Sequence, residues 1–280
     1  MKKKPQPPPD IRPGQSVELL KALHILTIDG KMNQDSRRKL KQVYHLIQFI
    51  EPLVMRAIEA RGAVNVVDHG AGKSYLGFIL YDLVLKTLTA PHHLFGIETR
   101  SELITKTRDL AAKLAFEHMS FLEMSVAQAI SASALDVSID IVTALHACDT
   151  ATDDAITFAL AKKAQHIVLV PCCQAELAAR WRTDKSAANT EVAELWKHPI
   201  RAREFGAHLT NVLRSLQLEA HGYSVTVTEL VGWEHSMKNE LILAEYKNLP
   251  RVKARARLEN TLATFGLSGM RERYLPETST

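Results

Sequence analysis

The sequence predicts an α/β fold: a doubly wound, mostly parallel sheet of seven strands whose last pair is antiparallel, preceded by a helical N-terminal extension. Three observations carry this reading. From Val64 onward, short β-branched runs alternate with helical patterns, as in parallel strands joined by crossover helices. The first run ends in Asp68-His-Gly-Ala-Gly72, a tight turn that leads into a helical pattern. Two late strand patterns, 222–230 and 240–246, lie too close together for a crossover helix and therefore pair antiparallel at an edge.

The elements follow in order. Residues 1–14 hold five prolines and three consecutive lysines and are expected to be a disordered basic tail. A helical lead-in fills 15–60. It has helical spacing over 17–26, a turn at Asp29-Gly30, and then a long amphipathic helix capped by Asn33 or Asp35. Leu40, Val43, Leu46, Ile47, Ile50 and Val54 make its apolar stripe, Arg37, Arg38, Lys39 and Lys41 its basic face, and Pro52 is expected to kink it or start a second helix. The main domain spans 61–247. Its strands are expected at 64–68, 93–98, 119–124, 139–145 and 166–171, with helices over 73–88, 101–116 and from Thr152. A polar helical insert, 174–218, separates these from the late pair, and 248–280 reads as a basic tail with some helical character (Leu258, Leu262, Phe265) and no clear destination.

At 280 residues, with 46% hydrophobic and 24% charged residues, the chain can bury a sizeable core. No apolar run has the length of a membrane span, and the lysine-rich start lacks the apolar core of a secretion signal. A cytoplasmic protein with reduced thiols at Cys148, Cys172 and Cys173 is expected. The net charge of +4 is unevenly spread: residues 1–41 carry ten Lys/Arg against four Asp/Glu, and 247–273 carry seven against two. Basic ends around an acidic middle suit contact with nucleic acid through the ends, or simply solvated tails.

The chemistry is expected at the carboxyl ends of the strands, where open α/β sheets receive ligands. Gly70 and Gly72 allow positive φ and close backbone approach, and the helix start beyond them offers N–H donors. The spacing fits neither a dinucleotide fingerprint, whose third glycine would fall at Tyr75, nor a phosphate loop, whose first glycine would fall at Val67. Glu98 ends strand two, where a carboxylate can accept both hydroxyls of a ribose. Ser125 and Val126, past strand three, are candidates for reading an adenine edge. Strand four ends in Leu145-His-Ala-Cys-Asp149 and strand five in Pro171-Cys-Cys-Gln174.

Asp68-x-Gly-x-Gly72 resembles the first motif of the class I S-adenosylmethionine-dependent methyltransferases, and the antiparallel late pair is the ending of their Rossmann-like sheet. The His-x-Cys segment leading into Ala-Thr-Asp, with Cys172-Cys173, is similar to one subgroup. It comprises the acceptor-stem tRNA 2′-O-methyltransferases and the methyltransferase-like proteins with a ribosomal-RNA-adenine-dimethylase-type label. Similarity runs from Thr27-Ile-Asp-Gly-Lys31 and Arg38-Lys-Leu-Lys-Gln42 to Glu234-His-Ser-Met-Lys-Asn239. Ala147, Asp149 and Gln174 depart from the acceptor-stem pattern and place the chain nearer the bacterial and methyltransferase-like branch.

The resemblance implies S-adenosylmethionine as cofactor, held by Asp68, Gly70, Ala71, Gly72, Glu98, Ser125, Val126, Leu145 and His146. It makes His146 and Asp149, with Lys238 and Asn239 ahead of strand seven, the candidates for orienting the acceptor or taking its proton. RNA is the expected acceptor. A protein or small-molecule acceptor, or cofactor binding without catalysis, are the alternatives. Adjacent cysteines chelate poorly, so no metal is expected at His146, Cys148, Cys172 and Cys173, and Pro171-Cys172 only superficially mimics a nucleophilic cysteine. In the insert, Arg180, Arg182, Lys185, Lys197, Arg201 and Arg203 are interleaved with Trp181 and Trp196. That pattern suits RNA contact or, for the tryptophans, a helical core.

Overall fold

The computed structural model describes residues 10–145, 147, 149–172, 174–183, 191–230 and 240–276. Seven strands form one sheet: β1 (Val64–His69), β2 (His92–Glu98), β3 (Met119–Glu123), β4 (Ile141–Leu145), β5 (His166–Val170), β6 (Tyr223–Glu229) and β7 (Glu240–Tyr246). Their order is β3-β2-β1-β4-β5-β7-β6, with β1 to β5 parallel and β7 antiparallel to both β5 and β6. The order reverses between β1 and β4, so the crevice at their carboxyl ends is the switch point of the sheet.

Ten α-helices complete the described residues. One face of the sheet is covered by α1 (Val17–Ala22), α2 (Gln34–Arg61) and α3 (Tyr75–Leu83), through a core that includes Leu40, Ile47, Val66, Phe78 and Ile141. Asn33 caps α2 by accepting the Ser36 N–H at 2.8 Å, and Gly62 ends it in the left-handed conformation. The helix runs 28 residues through Pro52, so no second helix starts there. Residues 10–14, expected within a disordered tail, are anchored: Ile11 packs against the core and the Arg12 guanidinium lies 4.6 Å over the Tyr44 ring.

On this side of the sheet, α4 (Ser101–Lys113) packs beside β2 and β3. The opposite face is covered by α5 (Val126–Ser131) and α6 (Ala151–Ala161), around Val67, Val142, Ile156 and Phe158. A third core departs most from expectation. The insert divides into α7 (Glu176–Thr183) and α8 (Pro199–Ala220), and the expected C-terminal tail supplies α9 (Val252–Thr264) and α10 (Arg271–Tyr274). Leu258, Leu262, Tyr274 and Leu275 are buried with Trp181, Trp196 and Leu213. The two tryptophans stack on each other at 4.5 Å, and Trp181 Nε1 donates to the Phe265 carbonyl. Apolar spacing too sparse to predict a partner from 248–276 proves to be the matching half of the insert.

No helix among the described residues is long and apolar enough to cross a membrane.

Candidate active site

The turn after β1 is a chain of backbone constraints. Gly70 (φ +66°), Gly72 (φ +58°) and Ser74 (φ +50°) all lie in the left-handed region, which glycine enters without cost and serine does not. What compensates Ser74 is its hydroxyl, which donates to Asp68 at 3.0 Å in a fully buried position. Asp68 also accepts from the Thr143 hydroxyl at 3.2 Å and from the Gly77 N–H. One carboxylate thus ties together β1, β4 and the start of α3. Burial pushes its pKa up to about 6 despite the Ser74, Thr143 and Gly77 hydrogen bonds.

Gly77 is the glycine that the sequence reading missed. A Cβ there would lie 2.3 Å from Ser74 Oγ and 3.3 Å from Asp68 Oδ2. The close packing of helix on strand sought at Tyr75 is provided two residues later. The available signal was a single glycine inside an apolar helical run. Consistently, α3 begins at Tyr75 rather than at Lys73, and ends at Leu83 in a 3-10 turn instead of reaching Leu88.

Glu98 stands at the end of β2 with its carboxylate fully engaged. Oε2 accepts the Gly72 N–H and Arg100 Nη2, both at 2.9 Å; Oε1 accepts the Thr99 and Arg100 N–H groups and Arg100 Nε. Burial works to raise its pKa, but the Arg100 side chain and the two backbone donors prevail and hold it at about 2. Glu98 is therefore an anion, wired directly to the glycine turn. Its guanidinium partner belongs to a side chain that is 61% exposed. Beside it, the Met124 N–H donates to the Glu98 carbonyl, which brings Ser125 and Val126 next to the same strand end. Ser125 caps α5 in a reciprocal capping box with Gln128, so its own N–H and hydroxyl are committed locally.

His69 was not singled out in the sequence. Both of its ring nitrogens are buried without a hydrogen-bond partner, and it packs 5.8 Å from Phe158. Burial lowers its pKa to about 4, outweighing the nearby Glu98 charge, so it is neutral at pH 7.

Two cavities flank this turn and the neighbouring strand ends. The first, about 310 Å³, is bounded by Asp68, Ala71, Tyr75, Leu76 and Leu145, and is closed by Ile25, Lys39, Gln42 and Val43 from the N-terminal extension. The second, about 920 Å³, opens beyond β5 against α8 and the β6 and β7 ends, with Cys172, Gln174, Arg203, His208, Asn211 and Glu240 in its wall. Asp149, at a left-handed φ of +51°, accepts the Ala175 N–H at 3.2 Å and so ties the loop after β4 to the loop after β5. Behind both loops Arg214 is completely buried. It donates to Asp153 at 3.0 and 2.7 Å, to the Asp149 carbonyl at 2.8 Å and to Asn211. Asn211 links Gln174 to Glu240, each at 2.9 Å. Nothing in the sequence marked Arg214. The other candidates, His146, Cys148, Cys173, Lys238 and Asn239, lie outside the described residues.

A family model described as "Methyltransferase domain" matches residues 38–180, just over half of the chain. The chain belongs to this family. The matched part of the methyltransferase domain runs from α2 to α7 and contains the glycine turn, Glu98 and Asp149. No curated protein sequence matches the chain. Among solved structures, it is similar to magnesium protoporphyrin IX methyltransferase from Synechocystis PCC 6803 with bound SAH. The identity is 12% and the TM-score 0.46, over 82% of this chain and 95% of that one. It is also similar to an rRNA methylase from Streptococcus thermophilus, at 11% identity and a TM-score of 0.44, over 73% of this chain and 94% of that one. A third, the Methanococcus jannaschii fibrillarin pre-rRNA processing protein, shares 12% identity at a TM-score of 0.43, over 66% and 67% of the two chains.

Proposed function

We propose that this methyltransferase domain moves a methyl group from S-adenosylmethionine, its cofactor, to RNA. The observation that carries the donor half is the switch-point turn. A carboxylate at the β2 end is hydrogen-bonded to the second glycine of the turn, and a cavity opens on the turn's other flank. The donor set fits the cofactor in kind. Glu98 offers an anion to a ribose diol once the exposed Arg100 side chain swings aside. Gly70, Ala71 and Gly72 keep the backbone low, since a Cβ on Gly70 would already touch that of Ala147 at 3.3 Å. Leu145 and Ala71 line the cavity, and Ser125 and Val126 follow Met124, whose N–H is bonded to the Glu98 carbonyl.

The bound cofactor supplies an electrophilic methyl group on a sulfonium. The protein's own task is alignment and care of the acceptor's proton. Asp68 fixes the turn through its Ser74, Thr143 and Gly77 donors. Asp149 stands between the loops after β4 and β5, where a carboxylate steadied by one N–H orients the acceptor or takes its proton. Arg214 holds that loop from behind. His146, Lys238 and Asn239 remain part of the proposed acceptor side.

RNA is the acceptor that charge favours. Arg251, Lys253, Arg255 and Arg257 crowd the start of α9, and Arg37, Arg38 and Lys41 the start of α2. The tryptophans play no part in this, being buried against each other. Purified protein incubated with labelled S-adenosylmethionine and total cellular RNA or protein tests the reading. Label that RNase removes, and that Asp149→Ala lowers, supports it; label only in protein or in small molecules overturns the RNA half.

A further inference from the structure

The smaller cavity is lined by polar side chains from two separate elements and by apolar ones. On the sheet side is Asp68; on the α2 side are Lys39 and Gln42; Ile25, Val43, Tyr75 and Leu76 line the rest. Its volume of about 310 Å³ is at the bottom of the roughly 300–1,000 Å³ of small-ligand sites, so it takes one end of a cofactor rather than the whole. Lys39 and Gln42 are three apart and therefore share one face of α2. That face is rigidly placed, because Leu40, Val43 and Ile47 are buried beneath it. The preceding cations are already matched, Arg37 to Asp10 and Arg38 to Asp35, whereas Lys39 forms no ion pair among the described residues. An anion at one wall and a cation with an amide at the other complement a zwitterion.

Resting on the donor reading above, we propose that Lys39 and Gln42 bind the α-carboxylate at the amino-acid end of the methyl donor, with its ammonium toward the Asp68 wall. The lysine supplies the charge and the amide N–H₂ a second donor. The N-terminal extension is then part of the cofactor site and not padding on the sheet. Trimming it removes a ligand contact as well as buried surface.

S-adenosylhomocysteine and 5′-methylthioadenosine separate the two halves of the site, since the second lacks the amino-acid end. Both are titrated calorimetrically into the full chain, wild type and variants, at low salt. Wild type binds both. Lys39→Ala weakens S-adenosylhomocysteine about tenfold, the worth of one charge-assisted hydrogen bond, while 5′-methylthioadenosine stays within about twofold. Lys39→Arg keeps most of the affinity, and Gln42→Ala shows the same selective loss in smaller measure. Lys39 is exposed, so these variants fold. Unchanged S-adenosylhomocysteine affinity in Lys39→Ala, or an equal loss for both compounds, overturns the subsite while leaving the donor reading standing. A wild type that binds neither overturns the donor reading and this subsite with it.

Discussion

The glycine turn after β1 is held by residues close in sequence: Asp68, Ser74 and Gly77 fall within ten positions, and only Thr143 and Glu98 come from elsewhere. The loops after β4 and β5 are held from afar. Arg214 reaches back 61 residues to Asp153 and 65 to the Asp149 carbonyl, and Asn211 reaches 37 residues back to Gln174. The proposed donor side is a largely local device of one strand, turn and helix. The proposed acceptor side is a tertiary device, built by a helix outside the matched family region. The difference teaches where each side breaks: the donor side by adding a methyl group, the acceptor side by removing a charge.

The largest effect is expected on the acceptor side. Arg214→Met leaves Asp153 buried without its partner and costs about 3–5 kcal/mol in chemical denaturation. Adding Asp153→Leu to the same chain recovers much of that loss. A single variant as stable as wild type would show that the acceptor loops do not depend on this pair.

On the donor side the comparison sharpens with pH. His69 titrates near 4 when folded and near 6.5 when unfolded, so the unfolded chain binds the extra proton between these values. Stability from this group falls by about 3 kcal/mol as pH drops from 6.5 to 4. Asp68 acts oppositely: its folded pKa of about 6 exceeds the unfolded value, so its contribution rises as pH falls from 6 toward 4. The two adjacent residues nearly cancel. Asp68→Asn unmasks the histidine slope and His69→Leu unmasks the aspartate slope, both read from denaturation midpoints across pH 4–7. Two parallel, flat profiles would contradict the burial of both groups.

A smaller loss is expected from Gly77→Ala. The added methyl group displaces Ser74 from Asp68 and costs about 1–3 kcal/mol as overpacking, with donor affinity reduced alongside. Stability and donor affinity both unchanged would mean that the turn relaxes freely around Gly77.

This contrast also explains what was legible in the sequence. The strand–helix alternation, the antiparallel edge, the Asn33 cap and the Glu98 strand end rest on period, turn chemistry and caps, which are local and therefore written locally. The pairing of 248–276 with the insert was not, because Leu258, Leu262 and Phe265 show a helix without naming the face that receives it. Arg214 reads as an ordinary charge in a polar helix until α6 is placed against it. Gly77 was overlooked because a fingerprint fixes the third glycine by count, whereas packing fixes it by where Ser74 must turn inward.

The proposed link between Glu98 and the methyl donor is the most directly testable. Calorimetric titration of S-adenosylhomocysteine into wild type and Glu98→Ala tests it in one experiment. Binding to wild type, weakened at least about tenfold, or roughly 1.4 kcal/mol, in the variant, is the predicted result. No binding to wild type, or equal binding to both, would contradict it.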